Sequence, residues 1–346
     1  MSHKLALIGF GGVGQGLAEI LCERGEKLYK EVGFDSKVVA ITDMMKGAIY
    51  DPKGIDLEKA LQVVKETGSL DGYPESPGLI RNWDSLKTIS ESNADTIVEV
   101  TFTDVKTGQP AIDHCKAAFE SGKNVVMSNK GPVALAFHEL SELAKKNNVR
   151  WEFEGTVMSG TPALRMPITT LAGNEITEIC GILNGTTNYI LTKMEDGLSY
   201  EAALKEAQEL GYAEADPTSD VEGYDARYKI VILSNTIMKA PLTVEQVKCE
   251  GISHLTLDDI KRAKSEGMRW KLLARAKKVG EEVIASVGPE CLQETDSLAS
   301  IQGATNAITF DCDLSGPITL SGAGAGRIET GFSLLIDLIN IERKQL

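Results

Sequence analysis

A short apolar run, KLALIG at residues 4–9, passes directly into GFGGVG, and an amphipathic stretch follows at 17–22. The glycines at 9, 11 and 14 satisfy G-x-G-x-x-G between a strand and a helix, the context in which that motif cradles a dinucleotide. Gly9 permits the tight turn, Gly11 lets the backbone approach a pyrophosphate, and Gly14 allows the helix to pack closely on the strand. The helix N-terminus near Gly12 and Val13 then presents free N–H groups and the positive end of its dipole to the phosphates.

The next strand, predicted at 37–42, ends at Asp43, where an acid accepts hydrogen bonds from the adenosine ribose hydroxyls. Asp43 is farther from the fingerprint than the usual spacing of about 20 residues, so the intervening helix must be extended. Lys46 and Lys53 lie nearby and could meet a 2′-phosphate instead. NAD and NADP both remain open, with Asp43 favouring NAD. Downstream, DTIVEV (95–100), GQPAIDHCKAAFESG, NVVMSN and FHELSELAKKNN alternate as strand, helix, strand and helix. That alternation predicts a Rossmann-type, doubly wound parallel sheet. Thr101 and Thr103, and likewise Asn129 and Lys130, fall where strand carboxyl ends open toward the ligand crevice. Lys130 is followed by Gly131 and Pro132, which holds it near the crevice rather than on a helix surface. Residues 50–81, with Pro52, Pro74, Pro77 and a helix predicted at 57–65, read as a surface excursion.

At 346 residues and 42% hydrophobic content the chain can build two cores, and two domains are predicted, 1–150 and 151–321, with 322–346 returning to the first. A net charge of −14 argues against a nucleic-acid surface or a basic membrane-binding face and points to a small-molecule partner. Six cysteines without a CxxC pair fit a reduced compartment and no zinc site. No signal-peptide pattern and no membrane-length apolar run are visible, so a cytoplasmic location is expected.

In the second half, 176–183 is β-rich and leads through NGTTN into a helix. Thr186 and Asn188 fall near that helix's N-cap, where capping alone would account for them; Thr186 is also a substrate-binding candidate. Ser199 opens a patterned helix that stops at Gly211. The acid-rich segment GYAEADPTSDVEGYDARYK, 211–229, follows. A helix predicted over 223–238 makes Asp225 and Lys229 i,i+4 neighbours. One reading is an exposed ion pair worth roughly 0.3–0.5 kcal/mol. The other has Asp225 orienting Lys229 for proton transfer, with Glu214 or Asp220 binding a substrate ammonium. Strands near 282–286 and 307–311 make the second domain an α/β layer on a mixed sheet. In SGAGAGRIETGF, Gly324 and Gly326 would let the backbone approach a ligand or let a helix pack tightly.

Together GFGGVG, SNKGP, GILNGTTNYIL, GYAEADPTSDVEGYDARYK and GAGAG resemble homoserine dehydrogenase over nearly the whole chain. The resemblance implies reversible NAD(P)-dependent interconversion of L-homoserine and L-aspartate 4-semialdehyde, a step toward threonine and methionine. It makes Lys229 the proton donor to the aldehyde oxygen and Lys130 a second lysine at the reaction centre. Glu214 and Asp225 become substrate ligands with Asp220 close by, and Thr101 and Gly326 cofactor contacts. It also implies a monovalent cation, usually sodium, held largely by backbone carbonyls at Glu154, Val157, Ser159 and Thr161, and a homodimer joined through the second domain's sheet. Because the chain ends soon after the GAGAG helix, feedback through an appended regulatory domain is not expected. Rival readings are a dehydrogenase of another amino-acid aldehyde or imine and a non-catalytic paralogue.

Overall fold

A computed structural model describes residues 2–102 and 104–343; Thr103, one of the strand-end threonines named above, lies outside them. The chain divides into two compact units, Met1–Gly160 with Gly326–Leu346, and Thr161–Ala325.

In the first unit the described strands are β1 (His3–Ile8), β2 (Ser36–Asp43), β3 (Gly47–Tyr50), β4 (Ile80–Arg81), β5 (Thr96–Glu99), β6 (Asn124–Met127) and β7 (Trp151–Glu152). They form one sheet in the order β4-β3-β2-β1-β5-β6-β7. Its centre, β2-β1-β5-β6-β7, is parallel. The edge strands β3 and β4 run antiparallel, so part of the predicted surface excursion extends the sheet. The chain can reverse there because Gly47, at φ 88°, closes the turn after β2. The strand order reverses at β1, with β2 on one side and β5 on the other, and such a switch point is where doubly wound sheets bind ligands. Leu5 and Leu7 of β1 share one buried cluster with Leu17 of the helix Gly12–Val32 and Leu334, Leu335 and Leu338 of the helix Arg327–Glu342. Close packing of the two helices requires glycine: a Cβ on Gly16 would lie 2.4 Å from the Arg327 carbonyl oxygen, and one on Gly331 would lie 2.8 Å from the Leu17 nitrogen.

The second unit holds β8 (Ile176–Ile182), β9 (Lys248–Cys249), β10 (Met268–Val279), β11 (Glu282–Gln293), β12 (Thr305–Cys312) and β13 (Gly316–Ala323). Their order is β13-β12-β8-β10-β11-β9, antiparallel except for the parallel β11–β9 pair. The long β10–β11 hairpin turns at Gly280, φ 64°, with Val279 opposite Glu282. The sequence pattern does not announce β10, because basic residues interrupt it. Arg275 is neutralised there by Glu178 and Glu290 on the flanking strands. The helices Gly185–Glu195 and Tyr224–Thr236 pack against β10. The whole is an α/β fold, a Rossmann-type doubly wound sheet and a second α/β unit on a mixed sheet.

Candidate active site

The glycines after β1 differ in what surrounds them. A Cβ on Gly9, whose φ is 101°, would lie 2.5 Å from the Val100 carbonyl oxygen, and one on Gly14 would lie 2.6 Å from the Gly9 carbonyl oxygen. A Cβ on Gly11 would meet nothing within 4 Å. Gly11 is also the N-cap of the helix Gly12–Val32, which has no side-chain cap and no acid in its first turn. The first backbone N–H groups, including those of Gly12 and Val13, thus lie uncapped by any side chain at the positive end of a long helix, next to the open space at Gly11. These residues fit the pyrophosphate of a dinucleotide.

Asp43 closes β2 and ties the same turn down. Its Oδ2 accepts the Phe10 N–H at 2.7 Å, and Oδ1 accepts the N–H groups of Met45 and Lys46 at 2.9 and 3.0 Å. The carboxylate thus shapes the glycine turn, and only its remaining lone pairs can receive a ribose hydroxyl. Lys46 Nζ stands 3.9 Å from Oδ1. At the far side of β1, Thr101 follows β5, and Lys130 begins the helix Lys130–Leu135 after β6, capped by Asn129. Gly326 precedes the helix Arg327–Glu342 with φ 144°, a conformation that favours glycine.

The cation candidates Glu154, Val157 and Ser159 are buried at the end of this stretch of the first unit. Met158 and Ser159 are consecutive non-glycine residues with positive φ, 57° and 53°, a strained turn of the kind found at binding sites. The Glu154 N–H donates to Asp337 Oδ2 at 2.9 Å, and the Ser159 hydroxyl pairs with that of Thr330 at 2.8 Å. Thr161 opens the second unit, where its hydroxyl donates to the Ala323 carbonyl at 3.1 Å. Among the described residues no cluster of three His, Cys, Asp or Glu side chains is placed to hold a metal.

In the second unit the acid-rich segment gathers around Asn184. The side-chain oxygen of Asn184 caps the helix Gly185–Glu195 by accepting the Thr187 N–H at 2.9 Å. Its amide nitrogen donates to Asp220 Oδ1 at 2.7 Å and to Asp225 Oδ2 at 3.0 Å. The cap is therefore Asn184, whereas Thr186 and Asn188 stand inside the helix. The Thr186 hydroxyl donates to the Tyr212 carbonyl at 2.6 Å and holds the loop that follows Gly211. Lys229 is only 6% exposed, and its Nζ donates to the Leu183 carbonyl at 2.6 Å and to Asp225 Oδ2 at 2.7 Å. A solvent-exposed ion pair does not describe this lysine. Burial raises the Asp220 carboxyl above its ordinary pKa, and the neighbouring Asp225 adds to the rise. The Asn184 amide and the Lys229 charge oppose it. Glu214 is exposed, on a loop whose carbonyls at 214 and 215 accept from the Gln208 amide at 3.1 and 3.4 Å. Its carboxylate takes no part in the hydrogen-bonded cluster among the described residues.

Asn184 escaped the sequence reading, although an Asn before Gly-Thr-Thr at a strand end carries an N-cap signal. That signal says nothing of the two acids, which lie 36 and 41 residues onward.

A dinucleotide-type glycine turn in one unit and a lysine held among carboxylates in the other are parts that a nicotinamide-dependent dehydrogenase would require. Residues 162–339 match the family model of homoserine dehydrogenase, and residues 1–155 match that of glutamate, leucine, phenylalanine and valine dehydrogenases. The NAD(+)-dependent homoserine dehydrogenase of Pseudomonas canavaninivorans is 46% identical over 342 residues, 99% of this chain and 96% of the relative. Among solved structures, a putative homoserine dehydrogenase from Archaeoglobus fulgidus superposes with a TM-score of 0.87 at 38% identity, covering 98% of this chain and 99% of the other. A hyperthermophilic archaeal homoserine dehydrogenase mutant in complex with NADPH gives 0.85 at 32% identity, covering 100% and 99%. The chain belongs to the homoserine dehydrogenase family. Its reaction is the reversible NAD(P)-dependent oxidation of L-homoserine to L-aspartate 4-semialdehyde by hydride transfer.

Proposed function

We propose that Lys229 donates the proton to the aldehyde oxygen during reduction and recovers it from the hydroxyl during oxidation. The bound nicotinamide supplies or accepts the hydride at the substrate carbon. What carries the assignment of Lys229 is its anchoring. An ammonium has three N–H donors; two are spent on Leu183 and Asp225, which leaves one for a substrate oxygen in a buried, acid-lined setting. Lys130 would be the second lysine at the reaction centre.

Asp220 and Asp225, bridged by Asn184, would hold the substrate ammonium together with Glu214, and Thr186 would fix the Tyr212 loop around it. In this reading the first unit is the cofactor domain, completed by the C-terminal helix, and the second is the substrate and dimerisation domain. The cofactor contacts are Gly9, Gly11, Gly12, Val13, Gly14, Asp43, Thr101, Lys130 and Gly326. NAD is favoured over NADP, because the carboxylate of Asp43 would repel a 2′-phosphate and the Pseudomonas relative is described as NAD(+)-dependent. A sodium ion on the carbonyls of Glu154, Val157, Ser159 and Thr161 fits the buried, strained turn at Met158–Ser159. A homodimer through the second unit's sheet is supported by the apolar side chain of Ile284 on β11, 58% exposed. The reading takes the chain as a cytoplasmic enzyme with neither nucleic acid nor membrane as partner, on the strength of its net charge of −14; no helix among the described residues is long and apolar enough to cross a membrane.

Lys229→Ala tests the central role. Homoserine oxidation should fall by orders of magnitude with NAD affinity nearly intact. Near-normal turnover would remove Lys229 from the mechanism.

A further inference from the structure

Glu99 ends β5 with its side chain wholly buried, and the mechanism above gives it no part. An apolar residue would fill this core position without the desolvation cost of a carboxylate, which is tolerated only where hydrogen bonds compensate it. One oxygen, Oε1, collects them: it accepts the Thr101 N–H at 3.3 Å and the Thr101 hydroxyl, and His114 Nδ1 of the helix Ala111–Glu120 lies 3.3 Å away. The other, Oε2, is buried without a hydrogen-bond partner among the described residues.

The chain of contacts continues from Thr101. Its carbonyl receives the Asn129 side-chain amide at 3.4 Å, and Asn129 Oδ1 accepts the Gly131 N–H at 3.3 Å, capping the helix that begins with Lys130. Glu99 stands opposite Met127 in the β5–β6 ladder, so this one carboxylate organises the loops that leave two adjacent parallel strands. Their location in the sheet matters. The adenosine half of a dinucleotide turns toward the acid at the end of β2, and β5 and β6 lie on the other side of β1. The nicotinamide half therefore falls to the edge that Glu99 organises.

We propose that Glu99 is a positioning residue for the reactive end of the cofactor, acting through Thr101 directly and through Asn129 on Lys130. The inference rests on the reading of Thr101 and Lys130 as residues of the cofactor and reaction site. Glu99 touches neither cofactor nor substrate; it holds the residues that do, with His114 fixing the carboxylate from the helix behind.

A double-mutant cycle on the full-length protein tests it. Glu99→Gln and Thr101→Val should each raise the KM for NAD by about tenfold, the scale of one hydrogen bond to a charged group, with the KM for homoserine unchanged. The double variant should be no worse than the more severe single one, since both remove the same link. Thr101→Ser, which keeps the hydroxyl, should recover most of the NAD affinity that Thr101→Val loses. Should Glu99→Gln fail to fold, Glu99→Asp, which retracts the carboxylate by one methylene, takes its place in the cycle. Additive effects, a rise in both KM values together, or a Thr101→Ser defect equal to that of Thr101→Val would overturn the role of Glu99. Lys130→Ala separates this from the reading beneath it. If that variant is impaired while Glu99 and Thr101 act additively, only the Glu99 inference fails; unaltered turnover and NAD affinity in Lys130→Ala would remove the underlying site assignment.

Discussion

Asn184 donates its side-chain amide to Asp220 at 2.7 Å while its oxygen starts the helix Gly185–Glu195. Two jobs, capping and bridging the acids, thus fall to the two ends of one carboxamide, and serine can do only the first. Asn184→Ser should keep the helix start and the fold but raise the homoserine KM by about tenfold, as expected for losing a donor to charged groups. Because the amide is one of the groups that pulls the Asp220 carboxyl down, its loss should also move the acid limb of the kcat/KM profile to higher pH. An unchanged homoserine KM would show that the bridged acids do not hold the substrate.

The glycine turn offers a contrast between two alanine substitutions. Gly9→Ala places a methyl against the Val100 carbonyl in a backbone with φ 101°, so it should destabilise the first unit and lower the yield of folded protein. Gly11→Ala has an ordinary φ of −75° and open space around the methyl. It should fold like wild type yet lose NAD affinity, measured by calorimetric titration, because the methyl enters the room a pyrophosphate needs. Undiminished affinity would place the cofactor elsewhere.

How far the sequence reaches depends on whether the deciding contact is local. The dinucleotide turn, the Ser199 cap and the left-handed stop at Gly211 are written in neighbouring residues, and the structure has the cap and the stop where their patterns put them. The i,i+4 spacing brings Asp225 beside Lys229 in any helix, but whether the pair is exposed depends on the Leu183 carbonyl, 46 residues away. β10 is hidden for a similar reason. Arg269, Lys271 and Arg275 make it read as a solvated segment, and only Glu195, Glu178, Glu290 and the Ile301 carbonyl, all distant in sequence, allow a basic strand at the centre of a sheet. Glu99 within TIVE looks like a strand's polar face until His114 and Thr101 are seen around it.

Thiol chemistry should be dispensable. Burial pushes the Cys22 thiol up to about 11 and the Cys180 thiol up to about 12, and burial also raises Cys115, Cys249, Cys291 and Cys312. Nucleophilic cysteines need the opposite shift. Iodoacetamide at pH 8 should therefore leave homoserine oxidation unaffected over an hour. Rapid inactivation, protected by homoserine, would point to a thiol at the site.

Lys271 provides a pH signature of the second unit's core. Fully buried on β10, its Nζ donates to the Ile301 carbonyl at 2.6 Å and to Asn188 Oδ1 at 3.2 Å. Desolvation lowers its pKa from 10.5 to about 8, partly offset by Glu195. Between those values the unfolded chain holds the proton more tightly than the folded one, so stability from this group rises with pH across the window and is constant below about 8 and above 10.5. The full rise would be ~3 kcal/mol at 1.36 kcal/mol per pKa unit. Lys271→Met removes the titration and nearly preserves volume, and Asn188 Nδ2 still donates to the Ile301 carbonyl at 3.3 Å. Urea unfolding of both proteins at intervals from pH 7 to 10.5 isolates the group by difference, because every other lysine and tyrosine titrates alike in the two. The gap between the curves should shift in favour of wild type as pH rises; a gap that stays constant would mean that Lys271 keeps its proton in the folded protein, held by Asn188 and the Ile301 carbonyl strongly enough to cancel the cost of its burial.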